Sequence, residues 1–254
     1  MQISIGFRTL VWREIYRFLC VFTQTVLPPV VSSFLYIFIF GFSIGKRIEH
    51  IGGIPYLEFL IPGLIMMYVI EGSYANSSSS LFISRWANYI EELLVTPLSY
   101  FEMVLAILIG GLARSLVTAF GVYLVSLIFV QNPIANPFVV CYFLLVVSLT
   151  FSSIGMIVAL FAEEFEHLTI LTTFVITPLI FFGGVFHSIS MVPEGLRWLT
   201  TFNPMFYMIN GMRYGILGAS DVWIWQCVIV VLMMFVTLFM ITVYLFKIGF
   251  KLRK

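Results

Sequence analysis

Charged residues are scarce in this chain. Asp, Glu, Lys and Arg make up 10% of its 254 residues, whereas 61% are hydrophobic. A soluble domain carries roughly 25% charged and 45–50% apolar residues, and it needs its polar groups to cover the surface. The shortage of charge therefore excludes a soluble globule and indicates an integral membrane protein.

The chain also lacks the patterns that carry chemistry. Its three cysteines stand alone in apolar runs without ligand spacing, which is typical of packing residues: Cys20, Cys141 and Cys227. A net charge of +1 and the lack of a basic tract argue against nucleic acid as a partner. No H-E-x-x-H or dinucleotide fingerprint occurs. The sequence therefore predicts that the chain is not itself an enzyme and binds no metal or cofactor, so ATP-driven work must come from another chain.

Long apolar runs are abundant. A helix needs about 20 apolar residues to cross the hydrocarbon core, whereas the strands of an outer-membrane barrel alternate over roughly 10 residues. The continuous runs predict an all-α membrane protein that forms a single domain over residues 1–254. Its six predicted transmembrane helices lie at about 19–44, 58–82, 103–130, 138–162, 168–186 and 223–246.

Lys and Arg near the span ends predict the orientation. Basic residues precede the first span and follow the last: Arg8, Arg13, Arg17, Lys247, Lys251, Arg253 and Lys254. Both termini should therefore face the cytoplasm, which requires an even number of spans. The loops at 83–102 and 163–167 then face the cytoplasm as well, although the second loop is acidic and contributes no Lys or Arg.

A short amphipathic helix is predicted over residues 5–18. An apolar stripe at helical spacing lies across from Arg13 and Arg17 and consists of Phe7, Val11, Ile15 and Phe18. Helices with basic residues on the polar face tend to lie in the membrane interface. We therefore predict an interfacial helix before the first span.

Two charged residues lie inside predicted spans, where a charge is costly. Glu71 is 11 residues from the inner end of the second span, and Arg114 is 11 residues from the inner end of the third. At 1.5 Å per residue, both lie about 16 Å deep. We hypothesise that they pair or face one polar cavity. The alternatives are that Arg114 snorkels to the interface and that Glu71 is protonated and hydrogen-bonded.

The helical face around Glu71 predicts a substrate path. Tyrosine, methionine and one carboxylate suit an amphipathic substrate, and the predicted path residues are Met67, Tyr68, Glu71, Tyr74, Ser78 and Arg114. Helix packing through small and aromatic residues is an equally good interpretation of this face.

The fifth predicted span is interrupted by Pro178 and by Gly183-Gly184. Turn residues at 192–195 and at Asn203-Pro204 border two predicted short helices, at about 195–202 and 205–217. Irregular backbone at membrane depth survives only where protein or a wet cavity satisfies it. The sequence therefore predicts a re-entrant or interfacial helical cap over residues 187–218, on the outer side.

A compact amphipathic segment separates the second and third spans. In RWANYIEELLV, residues 85–95, one helical face consists of Trp86, Tyr89, Ile90, Leu93 and Leu94. Pro97 should end this helix, and Ser99 with Glu102 forms a capping-box pattern that starts the third span. A connector does not need such an apolar face, so we predict a cytoplasmic docking helix.

These segments together resemble the ABC-2 type transporter permeases of bacteria over essentially the whole chain. The motifs that carry the likeness are QTVLPPV (24–30), FLIPGLIMM (59–67), IEELLVTPLS (90–99), GGLAR (110–114), the stretch at 177–218 and the basic tail. The likeness is closest to enteric permeases of uncertain substrate. Permeases for polysaccharide, nodulation-factor and drug export look more distant.

The resemblance implies the permease subunit of an ATP-driven exporter in the bacterial inner membrane. Two six-span permeases, as a homodimer, would surround a central path above two ATPase subunits that bind ATP and Mg. By position, the helix at 85–95 would be the coupling helix, with contacts from Trp86, Tyr89, Ile90, Glu91, Glu92, Leu93 and Leu94. The cargo would be an amphipathic lipid, a lipid-linked glycan or a hydrophobic drug-like molecule. The alternative is an ion-coupled secondary transporter that uses Glu71, although such folds usually show internal repeats.

Overall fold

The computed structural model describes residues 5–43, 45, 50–131 and 133–252, which are mostly helical. The α-helices are α1 Ile5–Cys20, α2 Phe22–Thr25, α3 Leu27–Ser43, α4 Tyr56–Trp86, α5 Tyr89–Val95, α6 Tyr100–Ser126, α7 Pro137–Phe161, α8 Glu166–Leu171, α9 Thr177–Phe182, α10 Arg197–Phe202, α11 Pro204–Leu217 and α12 Ile224–Lys247. A π-helical turn, Thr172–Ile176, joins α8 to α9, and two 3-10 turns, Ile189–Met191 and Glu194–Leu196, precede α10. Two short antiparallel strands, β1 His50–Ile51 and β2 Ile54–Pro55, form a hairpin. Of the basic residues discussed above, Arg253 and Lys254 lie outside the described residues.

Five helices among the described residues are long and apolar enough to cross a membrane: Phe22–Gly41, Tyr56–Trp86, Tyr100–Ser126, Pro137–Phe161 and Ile224–Lys247. A mostly helical membrane protein is thus confirmed, while the six spans stay a prediction. The predicted span at 168–186 is a shorter apolar helix, Glu166–Phe182. Its regular hydrogen bonding is interrupted because Pro178 has no N–H to donate, and the π-helical turn lies just before this proline.

The long helix α4 forms the centre of the bundle. It packs against α3, α6, α7 and α11, and every residue from Phe59 to Ile70 is buried. A helix that is buried all round must be apolar or small on every face. Glycines let the neighbouring segments approach closely, since Gly63 faces the backbone of Val185 and Gly155 of α7 faces the backbone of α4.

We expect Gly155→Ala to destabilise the protein, although alanine is favoured in helices. A Cβ at this position would lie 2.7 Å from the carbonyl oxygen of Tyr74 and 3.0 Å from the amide nitrogen of Ser78. These backbone atoms can move only if α4 moves. The strain of about 1–3 kcal/mol that overpacking causes should outweigh the gain of roughly 1 kcal/mol from helix propensity. Thermal unfolding in detergent should show a lower midpoint.

The control for this substitution is Gly195→Ala. A Cβ at position 195 would have no atom within 4 Å, so the unfolding midpoint should stay at the wild-type value. Equal midpoints for Gly155→Ala and the wild type would contradict the close approach of α4 and α7.

The bundle has two distinct ends. At one end, Leu252 follows α12 and lies in the same apolar cluster as Ile90 of α5, and Lys251 lies 4.0 Å from Glu163 in the loop after α7. We call this the α5 end. At the other end, which we call the cap end, the amide of Asn136 donates to the carbonyl of Gly215 in α11 at 2.8 Å. The segments at 83–102 and 163–167 thus share one end, opposite α11.

Candidate functional site

Residues 85–95 do not form one helix. α4 runs to Trp86 and α5 begins at Tyr89, because Asn88 adopts a left-handed conformation with φ of 61° that breaks the helix. Asparagine tolerates this conformation better than most residues. Trp86 therefore lies on a different helix from the rest of the predicted docking face.

The boundary between α5 and α6 is defined by neighbouring residues. After Val95 the chain becomes extended at Thr96, directly before Pro97, as predicted. The predicted capping box is confirmed, since the Ser99 amide donates to the Glu102 carboxylate at 2.9 Å and the Glu102 amide donates to the Ser99 hydroxyl at 3.2 Å. α5 is thus joined to α4 through Asn88 and to α6 through residues 96–99.

The apolar side of α5 packs against its own chain. Ile90 is 3% exposed, and Leu93 and Leu94 pack in part against the same apolar cluster. Ile90 is thus unavailable to a partner, and the two leucines are available only in part. The exposed surface is aromatic and acidic instead. Trp86 is 68% and Tyr89 is 55% exposed, and the carboxylates of Glu91 and Glu92 lie beside them in solvent.

A cleft of about 260 Å³ lies beside α5. Its lining residues come from the end of α4, from α5, from the end of α7 and from the tail: Phe82, Arg85, Trp86, Asn88, Ile90, Glu91, Ala162, Glu163, Lys251 and Leu252. The Arg85 guanidinium donates to the carbonyls of Ala159 and Ala162. These carbonyls lie at the C-terminal end of α7, where a helix has no N–H groups left to bond them. Arg85 therefore fixes the end of α7 to α4.

α1 packs against α6 through Glu14, which lies outside the predicted apolar stripe. Its buried residues are Leu10, Glu14 and Phe18, spaced four residues apart. Of the predicted stripe, only Phe18 is buried, whereas three residues are half-buried: Phe7, Val11 and Ile15. α1 thus turns the side with Leu10, Glu14 and Phe18 toward the bundle, and its predicted place in the membrane interface stays a prediction.

Glu14 lies fully buried in a set of polar contacts that we call the α1 anchor. The Ser80 hydroxyl donates to Glu14 Oε2 at 2.6 Å, and Arg13 Nη2 donates to Oε1 at 2.9 Å. Arg17 Nε lies 3.5 Å from Oε2. A Cβ at Gly110 of α6 would lie 2.7 Å from the Glu14 Cβ, so this glycine makes room for α1.

Arg17 belongs to the same anchor and does not lie on a solvated face. Its Nη2 donates to the Asn76 carbonyl at 2.8 Å and to the Asn76 side-chain oxygen at 3.1 Å. Burial lowers the pKa of Arg17, and the adjacent Glu14 carboxylate opposes this shift. Arg13 remains exposed. Two basic residues that look equivalent in sequence thus have different roles.

Glu71 and Arg114 lie at matching depth but do not pair. Gly72 of α4 faces Ser115 of α6, with an added Cβ 4.0 Å from the Ser115 Cα. Among the described residues, no ion pair within 4.0 Å joins Glu71 to Arg114. Arg114 Nη2 donates to the carbonyl of Thr25 at 3.4 Å instead. Both side chains are half-buried.

The other predicted path residues are packed within the chain. The buried members are Met67, Tyr68, Tyr74 and Ser78. The Tyr74 hydroxyl donates to the Leu168 carbonyl at 2.8 Å, which ties α4 to α8. These four residues thus lie within the helix packing, and the substrate path stays a prediction.

A buried arginine organises the cap end. Arg213 of α11 donates to the Gly184 carbonyl at 2.7 Å and to the Asn210 side-chain oxygen at 3.3 Å. It lies 3.7 Å from the Asp221 carboxylate, and its guanidinium carbon lies 3.7 Å from the centre of the Phe59 ring. These contacts join α11 to α4, to the end of α9 and to the segment before α12.

His187 lies close to this arginine. Burial lowers the pKa of His187, the charge of Arg213 lowers it further, and Asp221 opposes both effects. The imidazole therefore stays neutral beside Arg213 at neutral pH. The Asp221 carboxylate also accepts from the Ser188 hydroxyl at 2.8 Å, so this carboxylate links the loop after α9 to the loop before α12.

Glu14 and Arg213 were not among the predicted site residues, although the sequence contains a signal for each of them. Glu14 is an acidic residue within an otherwise basic and apolar segment, and the serine run at 77–80 supplies its donor. Arg213 is a lone cation in an apolar stretch. A single charge in apolar surroundings usually has a buried partner, and that expectation would have selected both residues.

The sequence is similar to those of known proteins. The model of the family "ABC-2 type transporter" matches residues 5–217. The chain is 41% identical over 213 residues to the inner membrane transport permease YadH of Escherichia coli strain K12, covering 84% of this chain and 83% of that protein. It is 24% identical over 214 residues to nodulation protein J of Rhizobium meliloti strain 1021, covering 82% and 80%. The matching protein of Neorhizobium galegae is 27% identical over 222 residues, with the same coverage. The chain therefore belongs to the ABC-2 type transporter family and is a membrane permease subunit of an ABC transporter.

Proposed function

We propose that this permease serves an ATP-driven exporter in a bacterial inner membrane and that its ATPase docks at the α5 end. The observation that carries the proposal is the exposed surface formed by Trp86 at the end of α4 and by Tyr89, Glu91 and Glu92 on the short helix α5. Aromatic residues are enriched in protein interfaces, and the rim of an interface is polar. ATP binding would then move α5, and α5 would move α4 and α6.

The charge distribution supports a cytoplasmic location for this end. Lys247 and Lys251 lie at the α5 end. Arg17 of α1, which follows Arg13, contacts the half of α4 nearer that end. Cytoplasmic segments carry an excess of Lys and Arg. With both termini inside, the number of spans is even, so Glu166–Phe182 is the sixth membrane-crossing element, and α10 and α11 form an outer cap.

The transporter is proposed to contain two copies of this permease and two ATPase subunits that bind ATP and Mg. The helices at Phe22–Gly41 and Ile224–Lys247 leave most of their apolar surface uncovered by their own chain. These surfaces meet lipid or the second copy. The cargo is an amphipathic lipid, a lipid-linked glycan or a hydrophobic drug-like molecule, and its path passes Glu71 and Arg114.

Reversing two charges tests the docking surface. We expect the double variant Glu91→Lys, Glu92→Lys to lose at least about tenfold in co-purification of the ABC ATPase encoded nearest to the permease gene, because like charges across an interface repel. Both side chains are exposed, and such substitutions change stability by about 0.5 kcal/mol or less. Membrane insertion and yield should therefore stay normal.

The matched control is Glu194→Lys, which reverses an exposed glutamate at the cap end and should retain the ATPase. Wild-type recovery of the ATPase with the double variant, and also with Trp86→Ala and Tyr89→Ala, would place the ATPase elsewhere and refute the proposal.

A further inference from the structure

The chain reverses sharply after α12. Gly249 has φ of 68°, its amide donates to the Phe246 carbonyl at 3.1 Å, and the amide of Phe250 donates to the Leu245 carbonyl at 3.0 Å. This pair of bonds is the Schellman arrangement that ends a helix at a glycine. The residues that follow are thereby directed back toward α5 and α7 instead of continuing away from the bundle.

The reversed tail is held by specific contacts. The ring centres of Phe250 and Phe161 lie 5.3 Å apart, and Lys251 Nζ lies 5.7 Å from the centre of the Phe161 ring. The same Lys251 atom lies 4.0 Å from Glu163 Oε1. Lys251 also has φ of 49°, a left-handed conformation that lysine rarely adopts. The contacts on either side of Lys251 keep the backbone in this conformation.

Leu252 is the residue that these contacts place under α5. It is 2% exposed and lies in one apolar cluster with Ile90. It lines the cleft that contains Ile90 and Glu91, and it also lines a second cleft with Leu94 and Tyr100. Leu252 therefore separates two cavities that lie along the inner side of α5.

α5 is too short to hold its position without contacts from the rest of the chain. It has seven residues, and isolated helices shorter than about 12–15 residues are marginal in water. Its position is therefore set by the groups beneath it. We infer that the C-terminal tail, through Leu252, is a positioning element that holds α5 in the orientation its ATPase recognises. This inference rests on the proposed docking role of α5.

The test separates local release of α5 from unfolding. In a chain with Cys20→Ser, Cys141→Ser and the reporter Ile90→Cys, a maleimide measures exposure beneath α5, while the native buried Cys227 of α12 reports on the core. With Leu252→Asp we expect Cys labelling at position 90 to accelerate at least about tenfold, since a carboxylate cannot remain in an apolar cluster without a partner. Cys227 should stay protected. Leu252→Met, which conserves volume and apolarity, should label like the parent.

The same changes, made without the reporter, should affect the ATPase. Leu252→Asp should reduce co-purification of the ATPase about tenfold, whereas Leu252→Met should leave it at the wild-type level. A chain that ends after Phe250 keeps the helix-ending glycine and should reproduce the effect of Leu252→Asp.

Three results would overturn the inference. They are unchanged labelling at position 90 in both Leu252→Asp and the shortened chain, labelling of Cys227 as well, and faster labelling at position 90 with normal ATPase recovery. If the Glu91, Glu92 double variant weakens ATPase binding while the tail variants do not, only this inference fails. If neither does, and Trp86→Ala and Tyr89→Ala also keep the ATPase, the docking role of α5 fails.

Discussion

Replacing Arg213 with methionine is expected to lower the free energy of unfolding by about 3–5 kcal/mol, the cost of removing one partner from a buried ion pair. The guanidinium is buried between α11, α4 and the end of α9. Its removal leaves the Gly184 carbonyl and the Asn210 side-chain oxygen without this cationic donor, and it leaves Asp221 without its cation. Unfolding by heat or by denaturing detergent, followed by loss of helical circular dichroism, measures the change.

Arg197→Met is the matched control, since it removes an arginine of the same cap. Arg197 lies 3.6 Å from Glu194, and both side chains are exposed. Exposed pairs contribute about 1 kcal/mol or less. Arg213→Lys should fall between the two, because an ammonium cannot reproduce the forked contacts of a guanidinium. Equal losses for Arg213→Met and Arg197→Met would show that Arg213 does not organise the cap.

Glu14→Ala is expected to lower the free energy of unfolding by about 1.5–3 kcal/mol, the range for hydrogen bonds to charged groups. The substitution leaves the buried Ser80 hydroxyl without its acceptor, and it leaves Arg17 without its carboxylate. We also expect hydrogen exchange to accelerate along α1, because the anchor fixes α1 to α4.

An exposed glutamate provides the comparison for Glu14. Glu164 lies in the loop after α7 and its side chain is in solvent, so Glu164→Ala should change stability by about 0.5 kcal/mol or less. Glu14→Gln should lose less than Glu14→Ala, since an amide oxygen can still accept from Ser80. A wild-type unfolding midpoint for Glu14→Ala would rule out the anchor.

Features that depend on neighbouring residues could be predicted from the sequence. The capping box needs only Ser99 and Glu102, and the end of α5 needs only Pro97, so both appear where the motifs place them. Hydropathy placed the long helices for the same reason, since each span is a property of one continuous segment. Pro178 indicated the interruption after residue 168, although its π-helical form was not indicated.

Features that depend on distant residues could not be predicted in this way. The orientation of α1 is set by Ser80, Asn76 and Gly110, which lie about 60 to 100 positions further along the chain. The apolar side of α5 looked like a surface for another protein because part of its cover, including Leu168 and Leu252, lies far along the sequence. Periodicity identifies an apolar face, but only the fold shows whether the same chain already covers it.

The length of α4 has a mechanical consequence. Its 31 residues form a rod about 46 Å long, which exceeds the hydrocarbon thickness of roughly 30 Å. Arg85 and Trp86 lie near one tip, while Phe59, which contacts Arg213, lies near the other. A tilt of about 10° about the α5 end would displace the opposite tip sideways by roughly 8 Å. A small rotation at the α5 end would thus become a large lateral shift at the cap end, with α4 as the lever arm.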